Sequence, residues 1–340
     1  MRYLRGNIRK CPPNKNDSFP IPITPEENFL MNIVFMGTPD FAVPSLEIIA
    51  SSPLCNILAV VSQPDKPKGR GRILSPTPVK EAAQRLSLPI MQPVKASDPL
   101  FIETIRKINP DLIVVVAYGQ ILKKEFLDIP PKGCINLHGS LLPKYRGAAP
   151  IQRAVMNGEK ITGVTTMLLN EGMDEGDILL KKEIKIEEND TAGTLFDRLK
   201  GVGAELLLDT IKRMNDNRLE PIPQDSSRAT YAPKIGKEEC QINWSDEGEK
   251  IRNLVRGLTP FPGAYTFLNG KRIIISSIEK GDNFKGRPGE LKVLGKDTLL
   301  VATATNHLII KMVKPEGKRE MPVADFMAGH HIESGMSFDL

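Results

Sequence analysis

The chain has 340 residues, with 46 Lys and Arg against 41 Asp and Glu for a net charge of +5, and 40% of its residues are apolar. Such a length suits two domains with a core in each, and the absence of any apolar run near the ~20 residues of a spanning helix leaves no expectation of a membrane segment. Four scattered cysteines (Cys11, Cys55, Cys134, Cys240) form no C-x-x-C pair and the four histidines form no H-E-x-x-H, so neither a disulfide framework nor a metal site is expected, and a reducing cytoplasm is the expected location.

Residues 1–30 combine scattered charge and five prolines with little hydrophobic periodicity, and disorder is expected there. The start MRYLRGNIRK leads into CPPNKNDSFPIPITPEE rather than an apolar core, which argues against secretion. Two readings stay open: a true start at Met31, or a transit peptide, which Asp17, Glu26, Glu27 and the prolines fit poorly.

From Asn32 short apolar runs alternate with amphipathic ones: NIVFM, VPSLEIIA, ILAVVS, PVKEAAQRL, PLFIETIRKI, LIVVVAY, CINLH, and a helix near 191–213. This is βαβ rhythm and predicts a Rossmann-like, mostly parallel sheet in an α/β catalytic domain over 31–218. Asp98 before Pro99 reads as an N-cap with a first-turn proline, and LIVVVA suits a central strand covered on both faces. Ligands should gather at the carboxyl ends of such strands. Gly37-Thr38-Pro39 lacks the full G-x-G-x-x-G, so a dinucleotide cofactor is not expected.

The segment Gln63 to Pro78 is long, rich in Pro and Gly, and carries Lys66, Lys68, Arg70 and Arg72. It reads either as a solvated loop or as one that follows phosphates, with affinity falling as salt rises. Cys134 to Pro150, CINLHGSLLPKYRGAAP, is the densest signal in the chain. On a strand, residues two apart share a face, so Asn136 and His138 project together while Ile135 and Leu137 face the other layer. An amide and an imidazole on one face can hold a developing oxyanion and move a proton, as acyl transfer requires. After the β-branched run ITGVTTMLL, Asp174 stands between Gly172 and Gly176, where the chain can hold its carboxylate against His138.

Residues 219–236 are rich in Pro, Ser and charge and read as a linker. The second domain, 237–340, opens with Asp246 as a helix N-cap and Glu249 three residues on, followed by AYTFL, RIIISSIE, GELKVL, TLLVAT and HLIIKMV broken by turn residues. That spacing predicts a small β-barrel or sandwich.

The run Asn136-x-His138-x-Ser140-Leu141-Leu142-Pro143-x-Tyr145-Arg146-Gly147, followed by the Asp174-x-Gly176-Asp177 turn, resembles the folate-dependent formyltransferase family. The likeness extends over nearly everything from Met31 onward, including MNIVFMGTPDFAVPSL, SQPDKPKGRGRILSPTPVK and YAPKI…INW…IRNLVRGLTPFPGA. The resemblance implies that Asn136, His138 and Asp174 are the catalytic trio and that 10-formyltetrahydrofolate is the formyl donor. It implies that Ser140, Leu141, Leu142 and Pro143 help bind the folate, with the backbone around Val116 to Leu122, including Tyr118, Gly119 and Ile121, lining the pteridine pocket. The acceptor it implies is the α-amine of methionine on initiator methionyl-tRNA, used in translation initiation by a monomer.

The same likeness sends the basic loop to the tRNA acceptor end, with Arg70 as the preferred contact beside Lys66, Lys68 and Arg72. It makes the second domain an OB-like β-barrel, where Lys271, Arg272, Lys318 and Arg319 are candidate phosphate contacts. One departure is visible, Leu169-Asn170 where the family more often has Met-Asp, although Asp174 is kept. A formyltransferase for a small amine should lack the basic loop and the carboxy-terminal β domain, and a tRNA-binding module without catalysis should have lost the trio.

Overall fold

A computed structural model describes residues 30–68, 71, 73–281 and 286–339. The expectation for the first 29 residues lies outside that range. Within the amino-terminal unit, strand β1 (Met31–Gly37) leads to helix α1 (Val43–Ala50), then β2 (Cys55–Val61), the short pair β3 (Lys66–Lys68) and β4 (Ile73–Ser75), and α2 (Pro78–Arg85). The chain continues through β5 (Ile90–Met91), α3 (Pro99–Ile108), β6 (Leu112–Val116), α4 (Lys124–Leu127), β7 (Cys134–His138) and α5 (Pro150–Met156). It ends with β8 (Ile161–Leu168), β9 (Ile178–Lys185) and the long α6 (Ala192–Asn215). Local chemistry explains several boundaries. Asp98 caps α3 through Leu100 N–H at 2.9 Å, and Thr191 with Thr194 forms a reciprocal capping box at the start of α6.

Seven strands form one sheet in the order β5-β2-β1-β6-β7-β8-β9. The first five run parallel, and β8 and β9 are antiparallel additions. The order reverses between β1 and β6, so a crevice opens at the carboxyl ends of β1, β6 and β7. Two apolar layers cover the sheet, one under α1 and α6 and one under α3.

The second unit contains α7 (Gly248–Leu258), β10 (Ala264–Leu268), β11 (Lys271–Lys280), β12 (Leu291–Leu294), β13 (Thr298–Ala302), β14 (His307–Pro315), β15 (Met321–Pro322) and α8 (Val323–Gly329). Its antiparallel order is β10-β11-β14-β13-β12, with β15 on β14. The carboxy-terminal tail bridges the two edges, pairing Phe267 with Asp339 and Glu290 with Ser337. Trp244 fills the centre, stacked on Phe338 at 5.1 Å and donating to Thr266 Oγ1 at 2.9 Å.

The expected Asp246 cap is corrected: α7 begins at Gly248, and Asp246 instead pairs with Lys250 at 2.9 Å. The open Gly248 N–H finds Thr305 Oγ1 at 3.1 Å, a partner no local pattern reveals. The two units pack through α5 and α7. A Cβ on Gly257 would lie 2.4 Å from Met156 Cγ, so only glycine allows this approach. Arg252 and Arg256 of α7 donate to carbonyls of Glu187, Glu188 and Asp190 at 2.7–3.0 Å and hold the units together. Among the described residues no helix is long and apolar enough to cross a membrane.

Candidate active site

A cavity of about 720 Å³ opens over the carboxyl ends of β1, β6 and β7, within the size range of pockets for drug-sized ligands. Asn136 and His138 both line it, while Ile135 belongs to the core on the other side of the sheet, as period-2 alternation requires. Asn136 makes no side-chain hydrogen bond to another described residue, so its amide N–H groups remain available to a ligand.

His138 is buried, and its Nε2 lies 2.9 Å from the Tyr145 carbonyl. A carbonyl only accepts, so Nε2 carries a proton and Nδ1 is the nitrogen left for chemistry. Nδ1 faces Asp174 Oδ2 at 3.6 Å, too long for a hydrogen bond yet within ion-pair distance whenever the ring is protonated. The same carboxylate oxygen accepts from Gly147 N–H at 2.8 Å, which fixes it beside the imidazole.

The carboxylate turn is forced into place. Asp174 adopts φ +55°, a left-handed conformation that Asp tolerates better than most residues. Two residues on, a Cβ at Gly176 would stand 1.7 Å from the Leu168 carbonyl oxygen, so no side chain fits. Both positions of the family departure, Leu169 and Asn170, line the cavity, and Asn170 Oδ1 accepts from Gly172 N–H at 3.0 Å to shape the turn.

Tyr145, also left-handed at φ +60°, is pinned by Thr230 Oγ1 accepting its N–H at 2.8 Å and by Glu159 accepting from its hydroxyl at 2.7 Å. Burial first, with Asn157 opposing and Glu159 reinforcing, pushes the Tyr145 phenol up to about 12. Burial alone pushes Tyr118 up to about 12. Both folded-state values lie above the ordinary value of 10. The stability the two phenols contribute is therefore fully present below pH ~10 and is lost as pH rises toward the shifted values. Ultraviolet difference titration should show Tyr118 and Tyr145 ionising at higher pH in native than in unfolded protein.

Tyr118, Gly119, Ile121 and Leu122 line the cavity with Ala117 and Gln120. Val116 does not: its side chain is fully buried in the opposite layer, and Val115 faces the cavity. Ser140, Leu141, Leu142 and Pro143 are not among the residues that line the cavity, although Gly139 just before them is. Ser140 Oγ donates to the Lys144 carbonyl at 2.6 Å, and Leu142 packs with Met167 and Ile178.

Lys66 is exposed, with Nζ 2.9 Å from Gln63 Oε1, and Gln63 in turn donates to the Tyr118 and Gly119 carbonyls at 2.9 and 3.1 Å. The root of the basic hairpin is thereby tied to the cavity wall. Arg70, Arg72 and the Lys68 side chain lie outside the described residues. Lys271 and Arg272 are exposed on β11, the latter 4.1 Å above the Tyr265 ring, and Lys318 and Arg319 occupy an exposed turn before β15. Among the described residues no cluster of His, Cys, Asp and Glu could hold a metal.

Residues 219–236, read as a linker, pack directly on the catalytic unit. Ile222 exchanges backbone hydrogen bonds with Ile178 at 2.8 and 2.9 Å, and Arg146 does so with Thr230 and Ala232 at 2.8 and 2.7 Å. Sequence reasoning missed Gln224 in this stretch, since a half-buried polar residue among prolines gives no periodic signal.

Residues 31–211 match the formyl transferase family, and residues 234–331 match the formyl transferase C-terminal domain. The chain belongs to the formyl transferase family. It is 48% identical to a methionyl-tRNA formyltransferase of Acetivibrio thermocellus over 307 residues, covering 90% of this chain and 98% of the relative. It is 50% identical to the methionyl-tRNA formyltransferase of Thermodesulfovibrio yellowstonii, covering 89% and 97%. The fold is shared with an N-formyltransferase from Helicobacter canadensis solved with folinic acid and dTDP-3-aminofucose, at TM-score 0.64 and 19% identity, covering 86% of this chain and all of that one.

Proposed function

We propose that the chain transfers the formyl group of 10-formyltetrahydrofolate to the α-amine of methionine on initiator methionyl-tRNA, giving N-formylmethionyl-tRNA in the cytoplasm. The observation that carries this reading is the unpaired Asn136 amide facing one cavity with the His138–Asp174 pair, in a chain nearly half identical to methionyl-tRNA formyltransferases over nine-tenths of its length. The apolar wall formed by Tyr118, Ile121 and Leu122 suits a flat pteridine, and its backbone groups offer the polar edge such a ring needs. The folate supplies the formyl group.

Asn136 donates to the formyl oxygen, a contact that strengthens as that oxygen gains charge while the amine attacks. The new bond joins the amine nitrogen to the formyl carbon, and the bond from that carbon to the folate nitrogen breaks. Asp174, directly or through a water, takes the amine proton, and the His138 Nδ1 beside it helps pass a proton to the departing nitrogen. The Tyr145 carbonyl holds Nε2 so that Nδ1 keeps its aim.

The acceptor is tested by a panel of methionyl-tRNA, uncharged tRNA, free methionine and an amino-sugar nucleotide. Turnover is expected with methionyl-tRNA alone; preferred turnover of the amino sugar would overturn the assignment. The basic hairpin carries a separate expectation. Arg70→Ala should raise KM for charged tRNA, with the deficit shrinking as salt screens phosphate contacts; equal KM values at every salt concentration would refute that role.

A further inference from the structure

We propose that Gln224, from the segment leading to the second unit, is a positioning residue that holds the Asp174 turn in its reactive shape; this rests on the formyl-transfer reading above. Both N–H groups of its amide are engaged, donating to the carbonyls of Asp174 at 2.9 Å and Gly176 at 2.7 Å. Its Oε1 accepts from Arg146 Nε at 3.1 Å and Nη2 at 2.9 Å. The amide orientation is forced, because carbonyls only accept and a guanidinium only donates.

Asp174 needs such a hold. Its left-handed backbone persists only where the surroundings over-determine it, and Gln224 grips the carbonyls on both sides of Glu175. Arg146, only 2% exposed, locks the other end of the amide and also faces Glu175 at 3.4 Å. Backbone bonds of Ile222 with Ile178 and of Thr230 with Arg146 fix Gln224's own segment. The stretch joining the two units therefore supplies part of the active-site frame.

The test compares wild type, Gln224→Ala and Gln224→Glu in formyl transfer to methionyl-tRNA, with both alanine and wild-type Gln224 also placed in an Asp174→Asn background. Gln224→Ala should lower kcat about 10- to 100-fold, the scale of a roughly 1 Å misplacement, while KM for each substrate stays within about twofold. Gln224→Glu keeps an acceptor for Arg146 but offers the two carbonyls no donor, so it should be at least as impaired. In the Asp174→Asn background the alanine change should cost less than about threefold, because its target is already gone.

Undiminished turnover of folded Gln224→Ala, wild-type rates in Gln224→Glu, or a full multiplicative loss in the Asp174→Asn background would each overturn the role. Should the alanine protein fail to fold, Gln224→Glu decides. Absence of transfer by wild type would instead overturn the formyl-transfer reading, and this proposal with it.

Discussion

Asn136→Ala is expected to lower kcat for formyl transfer by about 100- to 1,000-fold, the usual cost of removing one oxyanion donor, with little change in melting temperature. The effect should be catalytic rather than structural for a specific reason. The Asn136 side chain lines the cavity and holds up no other described group, so truncation leaves no orphaned partner behind. Its binding contribution in the ground state is small, because the formyl oxygen gains charge only as the amine attacks. Steady-state kinetics should therefore show kcat and kcat/KM falling together. A variant that kept kcat and lost only substrate affinity would move Asn136 from the reaction to plain binding.

Asp174→Asn should lower kcat by about 100- to 10,000-fold, the range lost with a general acid–base group. Asparagine has the same size, tolerates the left-handed backbone at φ +55°, and can still accept the Gly147 N–H that Asp174 Oδ2 accepts at 2.8 Å. What it loses is the charge beside His138 Nδ1 and the ability to take a proton. The folded structure is thus expected to survive while turnover does not. Recovery of more than about a tenth of wild-type turnover, against that expected range, would assign the carboxylate a structural task only.

The parts of this site visible in sequence are those where local geometry dictates direction. Asn136 and His138 lie two apart on a strand, and period 2 places both on the cavity side. Asp174 sits in a turn whose glycines announce an unusual backbone. Val116 enters through the family resemblance and not through its own strand, for β6 is apolar on both faces and the run LIVVV carries no mark of which residues face the crevice. Ser140 to Pro143 follow the strand into a loop, where side-chain direction has no period, and none of the four lines the cavity.

Long-range partners were less legible. The composition of 219–236 reads as a linker, but its hydrogen bonds to Ile178, Arg146 and Asp174 join residues roughly 45 to 85 positions apart in the sequence. No propensity encodes them. The displaced start of α7 has the same origin, a cap from Thr305 more than fifty residues away.

Isotope-labelled formyl followed from 10-formyltetrahydrofolate through a single turnover with initiator methionyl-tRNA tests the central claim most directly. Label recovered as N-formylmethionine on the tRNA with wild type, and not over the same interval with His138→Ala, is the expected result. Folded wild type that binds the folate yet leaves methionyl-tRNA unlabelled would contradict the assignment of both the acceptor and the trio.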